Sequence, residues 1–542
     1  RRRQRQMCIR DRCNMLSFWL GADPDKIDEA FRASGLYRDK WDRRQSGSTY
    51  GRITIKKAVD STREVYNPKG GSESYSISIN GSSEKPALHT MDDMGNALRI
   101  MDKFGEKIRY NHVERRWMYY DERRWCYDDT GTIYRIADSA IDDMKKEYAY
   151  YLSENGAEDD ITKAFEKHMK ASRSRKSKKN MVEELQHHVP ILPSSLDRYK
   201  TVVNAPNGMI DLKTGELLPH DPQKYITKIL SAEYTDHADC PQWQSFLSDI
   251  FNGDMELIRY VQKAVGYCLT GSTAEQCVFF LYGTGRNGKS TFLEVLRDVF
   301  GGYITNIQPE TIMVRSSGNG NASSDIARLK GARLVTSVEP NEGMRINEGL
   351  LKQLTGDDVV TARKLYSDEF EFKPEFKLWM ATNHKPIIRG TDTGIWRRIH
   401  LIPFTVQIPP EKVDRRLPFK LRSELPAILR WCVDGCLLWQ REGLGMPAAV
   451  LNSVNEYHRE MDVISTFIDA RCVVAEGESI SANKLFAVYS QWCEEFCEYR
   501  MSSTKFGVEM SKRFPKLRTS AGQIYRGIAL SDVPQSRFTV NY

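Results

Sequence analysis

The stretch that most restricts how this chain folds is LYGTGRNGKSTFL, residues 281–293. It contains the pattern GxxxxGK[ST], which becomes specific when a strand precedes it and a helix follows it. The apolar run CVFFLY at 277–282 predicts a buried parallel strand. Apolar residues spaced three and four apart at 292–300 predict a helix that ends at a glycine pair. The sequence therefore predicts a strand, a phosphate-binding loop and a helix in direct succession.

The loop itself predicts which atoms hold the phosphates. Gly283 and Gly288 allow backbone N–H groups to face a phosphate without an intervening Cβ atom. Lys289 is expected to reach the β and γ phosphates, and Ser290 is expected to bind Mg²⁺. The predicted cofactors are therefore ATP and Mg²⁺. The residues predicted to bind them are Gly283, Thr284, Gly285, Arg286, Asn287, Gly288, Lys289, Ser290 and Thr291.

Two later apolar runs each end in a polar residue. RLVTSVE at 333–339 ends at Glu339, and FKLWMATN at 376–383 ends at Asn383. Ligands of a doubly wound sheet gather at the carboxyl ends of its strands. We therefore expect Glu339 to polarise the attacking water and contact Mg²⁺, and Asn383 to sense the γ-phosphate. Either residue alone is equally well explained as a strand cap in a turn, but their order after the loop favours catalysis on an α/β fold with a doubly wound, mostly parallel sheet.

Charge and composition become informative once the first residues are set aside. Residues 1–12 carry six arginines and one aspartate, and MCIRD matches the translated end of a sequencing adaptor, so we expect 1–13 to be non-native. The remainder holds 73 basic and 71 acidic residues, so its overall charge does not indicate a nucleic-acid partner. The basic run at 170–179 is most simply interpreted as a solvated linker.

The sequence has no apolar run long enough to cross a membrane, and its eleven cysteines form no CxxC pair. We therefore expect a cytoplasmic protein with no membrane partner.

The segment between the two strand ends has a different pattern. Helical spacing ends at Gly356, and alternation over 358–372 predicts a hairpin. Three side chains lie near the tip of this hairpin: Arg363, Lys364 and Tyr366. Beyond Asn383, the apolar run IWRRIHLIPF at 395–404 predicts another strand. Two arginines stand at the entrance to this strand: Arg397 and Arg398.

This set of motifs resembles the superfamily 3 helicases, and most closely the phage and plasmid primase-helicases related to the poxvirus primase-helicase. The segments that carry the resemblance are NGMIDLKTGEL, GYCLTGST, YGTGRNGKST, LTGDDVVTARKLY, ATNHKP and WRRIHLIPF. The resemblance extends over roughly residues 89–542. It implies an AAA+-type P-loop ATPase core in a homo-hexameric ring that acts on single-stranded or forked DNA.

The same resemblance implies roles for individual residues. Arg398, with Arg397 as a second candidate, would act as an arginine finger on the ATP of the neighbouring subunit. Lys364 would contact single-stranded DNA in the central pore of the ring, with Arg363 and Tyr366 beside it.

The sequence departs from the family pattern at two positions. Val338 stands where many of these helicases have a second acid before the glutamate, so Mg²⁺ is expected to rest on Ser290 and waters, with Glu339 further out. Leu365 stands where some relatives carry a histidine. The grip on DNA is therefore expected to depend on the basic residues of the hairpin.

Both ends of the chain resemble parts of replication proteins. Residues 17–59 resemble the segment that follows the catalytic domain of phage primase-polymerases, although a helical cap would also explain them. No carboxylate cluster for two-metal chemistry precedes them, so we expect primase activity in the natural polypeptide and none in this one. Residues 481–531 read as helix, turn, helix and strand, which predicts a winged-helix-like domain that either binds DNA or stabilises the ring. Its candidate DNA-binding residues are Lys505, Lys512 and Arg513.

The predicted organisation places an α+β domain before the ATPase core and helical and winged-helix-like domains after it. The boundaries are 1–13 for the non-native segment, 14–60 for the helical remnant, 61–88 for a linker, 89–255 for the α+β domain, 256–410 for the core, 411–474 for a helical lid and 475–542 for the winged helix. The predicted function is an ATP-dependent DNA helicase of a phage or mobile element. The alternatives are an origin-binding ATPase switch for replication initiation and an AAA+ protein remodeller. Stimulation of hydrolysis by DNA is the observation that discriminates among them.

Overall fold

The computed structural model describes the chain in two compact units, residues 1–85 and 86–542. The described residues are 13, 16–17, 23–34, 37, 39–45, 47–61, 86–237, 239–314, 322–338, 340–363, 368–390, 393–496, 500–520 and 522–531. Among them, no helix is both long enough and apolar enough to cross a membrane.

The first unit is a small helical unit with a two-stranded ribbon. Its elements are α1 Pro24–Arg32, β1 Arg44–Gln45, β2 Ser48–Thr49 and α2 Tyr50–Ser61. Asp23 begins α1 by accepting hydrogen bonds from the N–H groups of Asp25 and Lys26. Phe31 stacks on Trp41 with ring centroids 3.9 Å apart in the core of this unit.

The second unit begins with an α+β part. Its elements are α3 Asp93–Phe104, β3 Ile108–Asn111, β4 Arg116–Tyr120, β5 Trp125–Tyr127, α4 Thr132–Asn155, α5 Asp160–Ser172, α6 Arg175–Leu185, β6 Val202–Ala205, β7 Gly208–Asp211 and β8 Glu216–Leu218. The strands form two antiparallel sheets, β3-β4-β5 and β6-β7-β8. The basic run at 170–179 is not a linker. It ends α5 and begins α6, because the Ser174 side chain caps the first turn of α6.

A five-stranded parallel sheet forms the centre of the second unit. Its strands are β9 Val278–Tyr282, β10 Ile304–Ile307, β11 Leu334–Ser337, β14 Lys377–Thr382 and β15 Ile399–Pro403. Their order is β10-β11-β14-β9-β15, and every neighbouring pair is parallel. Strands β9, β11, β14 and β15 are almost entirely buried, as continuous apolar runs require, whereas the edge strand β10 is partly exposed. The predicted α/β fold with a parallel sheet is confirmed, and β9 lies where the order of the strands changes direction.

Helices and one hairpin accompany this sheet. The helices are α7 Pro241–Ile250, α8 Met255–Leu269, α9 Lys289–Phe300, α10 Ala322–Ala327, α11 Glu348–Thr355, α12 Thr393–Trp396, α13 Leu417–Ser423, α14 Leu425–Glu442 and α15 Ala448–Met461, and the hairpin joins β12 Val360–Arg363 to β13 Glu369–Phe372. Helices α8 and α14 approach closely at Gly266, where a Cβ atom would lie 2.1 Å from the backbone nitrogen of Cys436. The hairpin over 358–372 and the helix that ends at Gly356 are both confirmed.

The C-terminal part packs three helices on a separate sheet. Its elements are α16 Val463–Arg471, β16 Cys472–Ser481, α17 Ala482–Glu495, α18 Ser503–Arg513, β17 Lys516–Thr519 and β18 Gly522–Leu530. The sheet is antiparallel in the order β16-β18-β17. Its core includes the stacked rings of Tyr489 and Phe506, whose centroids lie 4.5 Å apart. Ile464 of α16 belongs to the same core, so α16 is part of this C-terminal part. The predicted succession of two helices and a strand after residue 481 is confirmed.

Candidate nucleotide site and nucleic-acid surfaces

The loop between β9 and α9 has the backbone conformation of a phosphate cradle. Gly285 and Gly288 have φ angles of +100° and +84°, which a residue with a Cβ atom rarely adopts. Gly288 is the N-cap of α9 and offers no side chain to its first turn. The N–H groups at the start of α9 therefore point into the loop without a side-chain cap, which is a favourable arrangement for an anion.

The loop is held by the backbone that follows β15. A Cβ atom on Gly283 would lie 2.2 Å from the carbonyl oxygen of Phe404 and 2.3 Å from Nδ2 of Asn287, so only glycine fits there. Asn287 is buried and donates a hydrogen bond to the same carbonyl at 3.1 Å. The Gln407 amide donates to Thr284 Oγ1 at 3.1 Å. Asn287, predicted to bind nucleotide, thus contacts the protein backbone and fixes the shape of the loop.

Lys289 and Asn383 meet at the carboxyl edge of the sheet. Lys289 Nζ donates to Asn383 Oδ1 at 2.9 Å and to the Gly283 carbonyl at 2.5 Å. Strands β9 and β14 are neighbours in parallel register, so the residues that follow them must lie side by side. The lysine is 7 % exposed, and its charge is therefore largely removed from water and directed at the loop. These two residues, which are 94 positions apart, were both predicted to contact the γ-phosphate, and the structure brings them together.

The hydroxyl groups predicted to contact phosphate or metal are accessible. Thr284 and Ser290 are exposed, and Thr291 is partly exposed. Ser290 is in the first turn of α9, directly after Lys289. Glu339, the second predicted magnesium ligand, lies outside the described residues, so its role stays a prediction.

The arginine pair lies at the opposite edge of the sheet from the loop. Arg397 and Arg398 precede β15, and the Arg398 carbonyl accepts a hydrogen bond from the N–H of Val278 at the start of β9 at 2.8 Å. A five-residue strand of β9's length spans about 16 Å, so neither side chain is beside the phosphate loop of its own chain. Arg398 is 9 % exposed and donates to the Gly394 carbonyl at 2.9 Å, whereas Arg397 is exposed. Arg397 is therefore the member of the pair that reaches the surface.

The hairpin presents alternate side chains to the core and to solvent. Val360, Ala362 and Phe372 are buried, and Arg363, opposite Glu369 on β13, is exposed. The tip residues predicted to contact DNA, Lys364 and Tyr366, lie outside the described residues.

The basic residues of α18 have two different environments. Lys505 and Lys512 are exposed, although Lys512 Nζ also contacts Glu509 Oε1 at 2.7 Å. Arg513 is only partly exposed and pairs with Asp462 at 2.6 Å, which attaches the end of α18 to the first residues of α16. Burial raises the pKa of Asp462, but hydrogen bonds from Ser465 and the charge of Arg513 outweigh it and hold that pKa below its usual range. Arg513 therefore stabilises this part of the chain through Asp462.

Sequence reasoning missed two buried titratable groups in the sheet. His400 on β15 is hydrogen-bonded through Nδ1 to the Tyr260 hydroxyl, and its burial lowers its pKa to about 4. Lys377, the first residue of β14, donates to the Thr270 carbonyl at 2.5 Å, and its burial lowers its pKa to about 7. Both lie within apolar runs, where the local pattern gave no sign of an ionisable role.

Four sequence families match successive parts of the chain. They are the NrS-1 polymerase HBD domain at residues 12–68, the D5 N terminal like family at 97–252, a family of unknown function (DUF5906) at 281–398 and the Poxvirus D5 protein-like family at 459–526. The third match includes the phosphate loop, Asn383 and the arginine pair.

Individual relatives agree with these matches. A protein of Acanthamoeba polyphaga mimivirus named as a putative helicase is 28 % identical over 324 residues, which are 55 % of this chain and 33 % of that protein. The DNA primase-polymerase of Nitratiruptor phage NrS-1 is 54 % identical over 61 residues, 11 % of this chain and 8 % of that protein. A solved structure of the NrS-1 C-terminal region covers 80 % of this chain and 99 % of its own, at 10 % identity and a TM-score of 0.44.

The chain spans about a third of the length of the mimivirus relative. Two of the matching families carry the name D5, and they flank the segment that holds the phosphate loop. The resemblance predicted from the motifs is confirmed at this level. The chain is similar to the phage and viral primase-helicases, including the poxvirus D5 proteins.

Proposed function

We propose that this chain is the ATP-driven DNA helicase part of a phage or mobile-element primase-helicase. In this proposal it is a superfamily 3, AAA+-type enzyme that assembles as a hexameric ring and moves along single-stranded DNA. The observation that carries the proposal is the contact of Lys289 with Asn383 over the phosphate loop. The loop follows β9, where the strand order changes direction, and open α/β sheets bind their ligands at that point. The helicase and primase names of the relatives support the same reading.

The residues at the loop fit a nucleoside triphosphate and its magnesium ion. The glycine backbone, the uncapped start of α9 and the desolvated Lys289 together favour a polyphosphate. Ser290 would bind Mg²⁺ directly, and Glu339 would lie beyond the water molecules that complete the coordination of the ion. When bound, the ion would supply positive charge that offsets the negative charge of the triphosphate.

The residues of this chain have separate roles in hydrolysis. Lys289 would neutralise charge on the transferring phosphoryl group, and Asn383 would orient Lys289 and sense the γ-phosphate. Glu339 would polarise the attacking water. Because Arg397 and Arg398 lie at the far edge of the sheet, they would act on the ATP of a neighbouring subunit, with the exposed Arg397 closer to that interface.

A single strand, β14, would couple the nucleotide to DNA. Its carboxyl end leads to Asn383, and its amino end follows the hairpin β12–β13 after four residues. A shift of Asn383 on hydrolysis would therefore be transmitted along a buried, rigid strand to the hairpin. Arg363, Lys364 and Tyr366 on the hairpin would grip the strand in the pore, and Lys505 and Lys512 on α18 would add contacts to DNA phosphates.

An origin-binding ATPase switch is the alternative that a specific observation favours. The C-terminal part has two consecutive helices and an antiparallel sheet with exposed lysines on α18, which is a typical arrangement for docking on duplex DNA. A protein remodeller, by contrast, would have no use for a basic hairpin. In nature, the helicase would act together with a primase activity of the same polypeptide, and the match of residues 12–68 to a primase-polymerase supports that link.

The proposal is tested by measuring ATP hydrolysis with and without DNA. A helicase that moves on one strand should hydrolyse faster with oligo(dT) than without it. Equal stimulation by oligo(dT) and by a mixed-sequence oligonucleotide is expected, because the pore contacts are to the backbone. Stimulation only by duplex of one sequence would favour the origin-binding switch, and no stimulation by any DNA would contradict the proposal.

A further inference from the structure

A second concave surface lies between the α+β part and the parallel sheet. This groove has a volume of about 860 Å³. One wall is formed by the segment around residues 192–198 together with Thr227 and Lys228, and the other by residues 327–331 and 371–375. Leu192 lies on the groove and is 65 % exposed. We refer to this surface as the basic groove, for the reason that follows.

The acidic side chains of the groove are mostly engaged. Asp197 accepts hydrogen bonds from Thr227, through its N–H at 2.7 Å and its hydroxyl at 2.5 Å. Glu375 pairs with the buried Arg333 at 3.4 Å. Glu114 is hydrogen-bonded to Tyr127. Four acidic side chains line the groove, and Glu371 is the one for which the described residues provide no such partner.

The basic side chains of the groove are mostly available. Arg116 pairs with Asp129 at 2.6 Å. The other five have no ion-pair partner among the residues that the structure describes: Arg198, Lys228, Arg328, Lys330 and Lys373. Five basic side chains therefore face one available acidic side chain. A local excess of this kind is what attracts a phosphate backbone.

The groove lies at the edge of the sheet that is remote from the nucleotide. Lys330 and Gly331 come shortly before β11, and Glu375 comes shortly before β14, so both segments are at the amino ends of parallel strands. Lys373 directly follows β13, the second strand of the hairpin. The groove is therefore continuous with the base of the element proposed to grip DNA.

We propose that the basic groove binds the backbone of a single DNA strand on its path to or from the hairpin. This inference rests on the proposed function and adds a second contact site to it. Phosphates would lie against the five available basic side chains from both walls, and the exposed Leu192 would contact nucleotide bases without sequence preference. A concave surface with bases on both walls suits one strand, whereas a duplex is bound by elements that protrude into its grooves.

The first test is the salt dependence of binding to oligo(dT). Each phosphate contact on a single strand contributes about 0.7 to the slope of log affinity against log salt. The double variant Lys330→Ala/Lys373→Ala removes one exposed base from each of two segments of the sheet-side wall, so we expect the slope to fall by about 1.4. Lys213→Ala/Lys412→Ala is the matched control, since both lysines are exposed and lie outside the groove, and it should leave the slope unchanged. Basal ATPase without DNA should be the same in both.

The second test is site-specific photo-crosslinking. A photoreactive benzoyl-phenylalanine in place of Leu192 should crosslink to oligo(dT), and the same group in place of Met255, which is 70 % exposed elsewhere on the unit, should not. An unchanged salt slope together with no crosslink at Leu192 overturns the inference. A change of oligomeric state in the double variant also counts against it, because the groove would then be a contact between subunits. If Lys364→Ala weakens binding while the groove variants do not, the inference fails and the proposed function stands.

Discussion

Replacing Gly283 by alanine tests the account of the phosphate loop. The new Cβ atom would lie 2.2 Å from the Phe404 carbonyl oxygen, and Cβ atoms essentially never approach closer than 3.0 Å. That carbonyl belongs to backbone whose N–H is bonded to the Tyr282 carbonyl at 2.7 Å, so it resists moving. The loop must therefore shift by on the order of 1 Å, and misplacement of that size costs about 100-fold in rate. We expect kcat/KM for ATP to fall about 100-fold in steady-state phosphate release.

Gly285→Ala is the matched control in the same loop. No heavy atom lies within 4 Å of the position of its Cβ atom, although the φ of +100° strains any side chain. We expect it to lower the free energy of unfolding by about 1–2 kcal/mol and to reduce turnover less than tenfold. The reasoning is refuted if Gly283→Ala keeps turnover within threefold of the wild type, or if Gly285→Ala is the more damaging change.

Three further predictions concern the interface, the hairpin and the sheet. Mixing Arg397→Ala/Arg398→Ala subunits with Lys289→Ala subunits should restore some ATPase activity, because some interfaces in mixed rings combine an intact loop with an intact arginine pair, and no rescue at any ratio would count against a shared site. Lys364→Ala should weaken single-strand binding equally for all sequences and reduce the salt slope by about 0.7, with basal ATPase unchanged, and an unaltered slope would argue against the pore contact. Burial lowers the pKa of His400 to about 4 in the folded chain, whereas a histidine in the unfolded chain has its ordinary pKa near 6.5. Between pH 6.5 and pH 4 the unfolded chain therefore binds more protons than the folded chain. Acidification through that window should therefore cost on the order of 3 kcal/mol of unfolding free energy. In denaturant titrations, His400→Gln should remove part of that dependence, and an identical pH profile would contradict the assignment.

Local patterns were sufficient to predict the elements that carry the candidate site. The apolar run before Gly283, the helix after Lys289 and the alternation over 358–372 each depend on neighbouring residues and were confirmed. The rule that ligands gather at the carboxyl ends of parallel strands then placed Asn383 near the loop, and the parallel register of β9 and β14 brings it there. The α/β fold was predictable for the same reason, because buried parallel strands are apolar throughout.

Contacts between distant parts of the chain were not predictable. Asn287 donates to a carbonyl 117 residues away, and Arg513 pairs with an acid 51 residues away, and no local spacing reports either contact. The exposure of Arg397 compared with Arg398 depends on which side chain the turn after α12 directs inward. The prediction of a linker at 170–179 was wrong because it rested on the high charge of this run and did not consider Ser174 as the N-cap of a helix.

Unwinding of a forked DNA is the measurement that tests the central claim most directly. Wild-type protein with ATP and Mg²⁺ should separate forks that carry a single-stranded tail of one polarity. Lys289→Ala should separate none while binding the fork, because the lysine is needed for hydrolysis and not for DNA contact. Lys213→Ala, a matched change at an exposed lysine, should unwind at the wild-type rate. Failure of the wild type on forks of both polarities under conditions where it hydrolyses ATP, or unwinding by Lys289→Ala at the wild-type rate, would contradict the account.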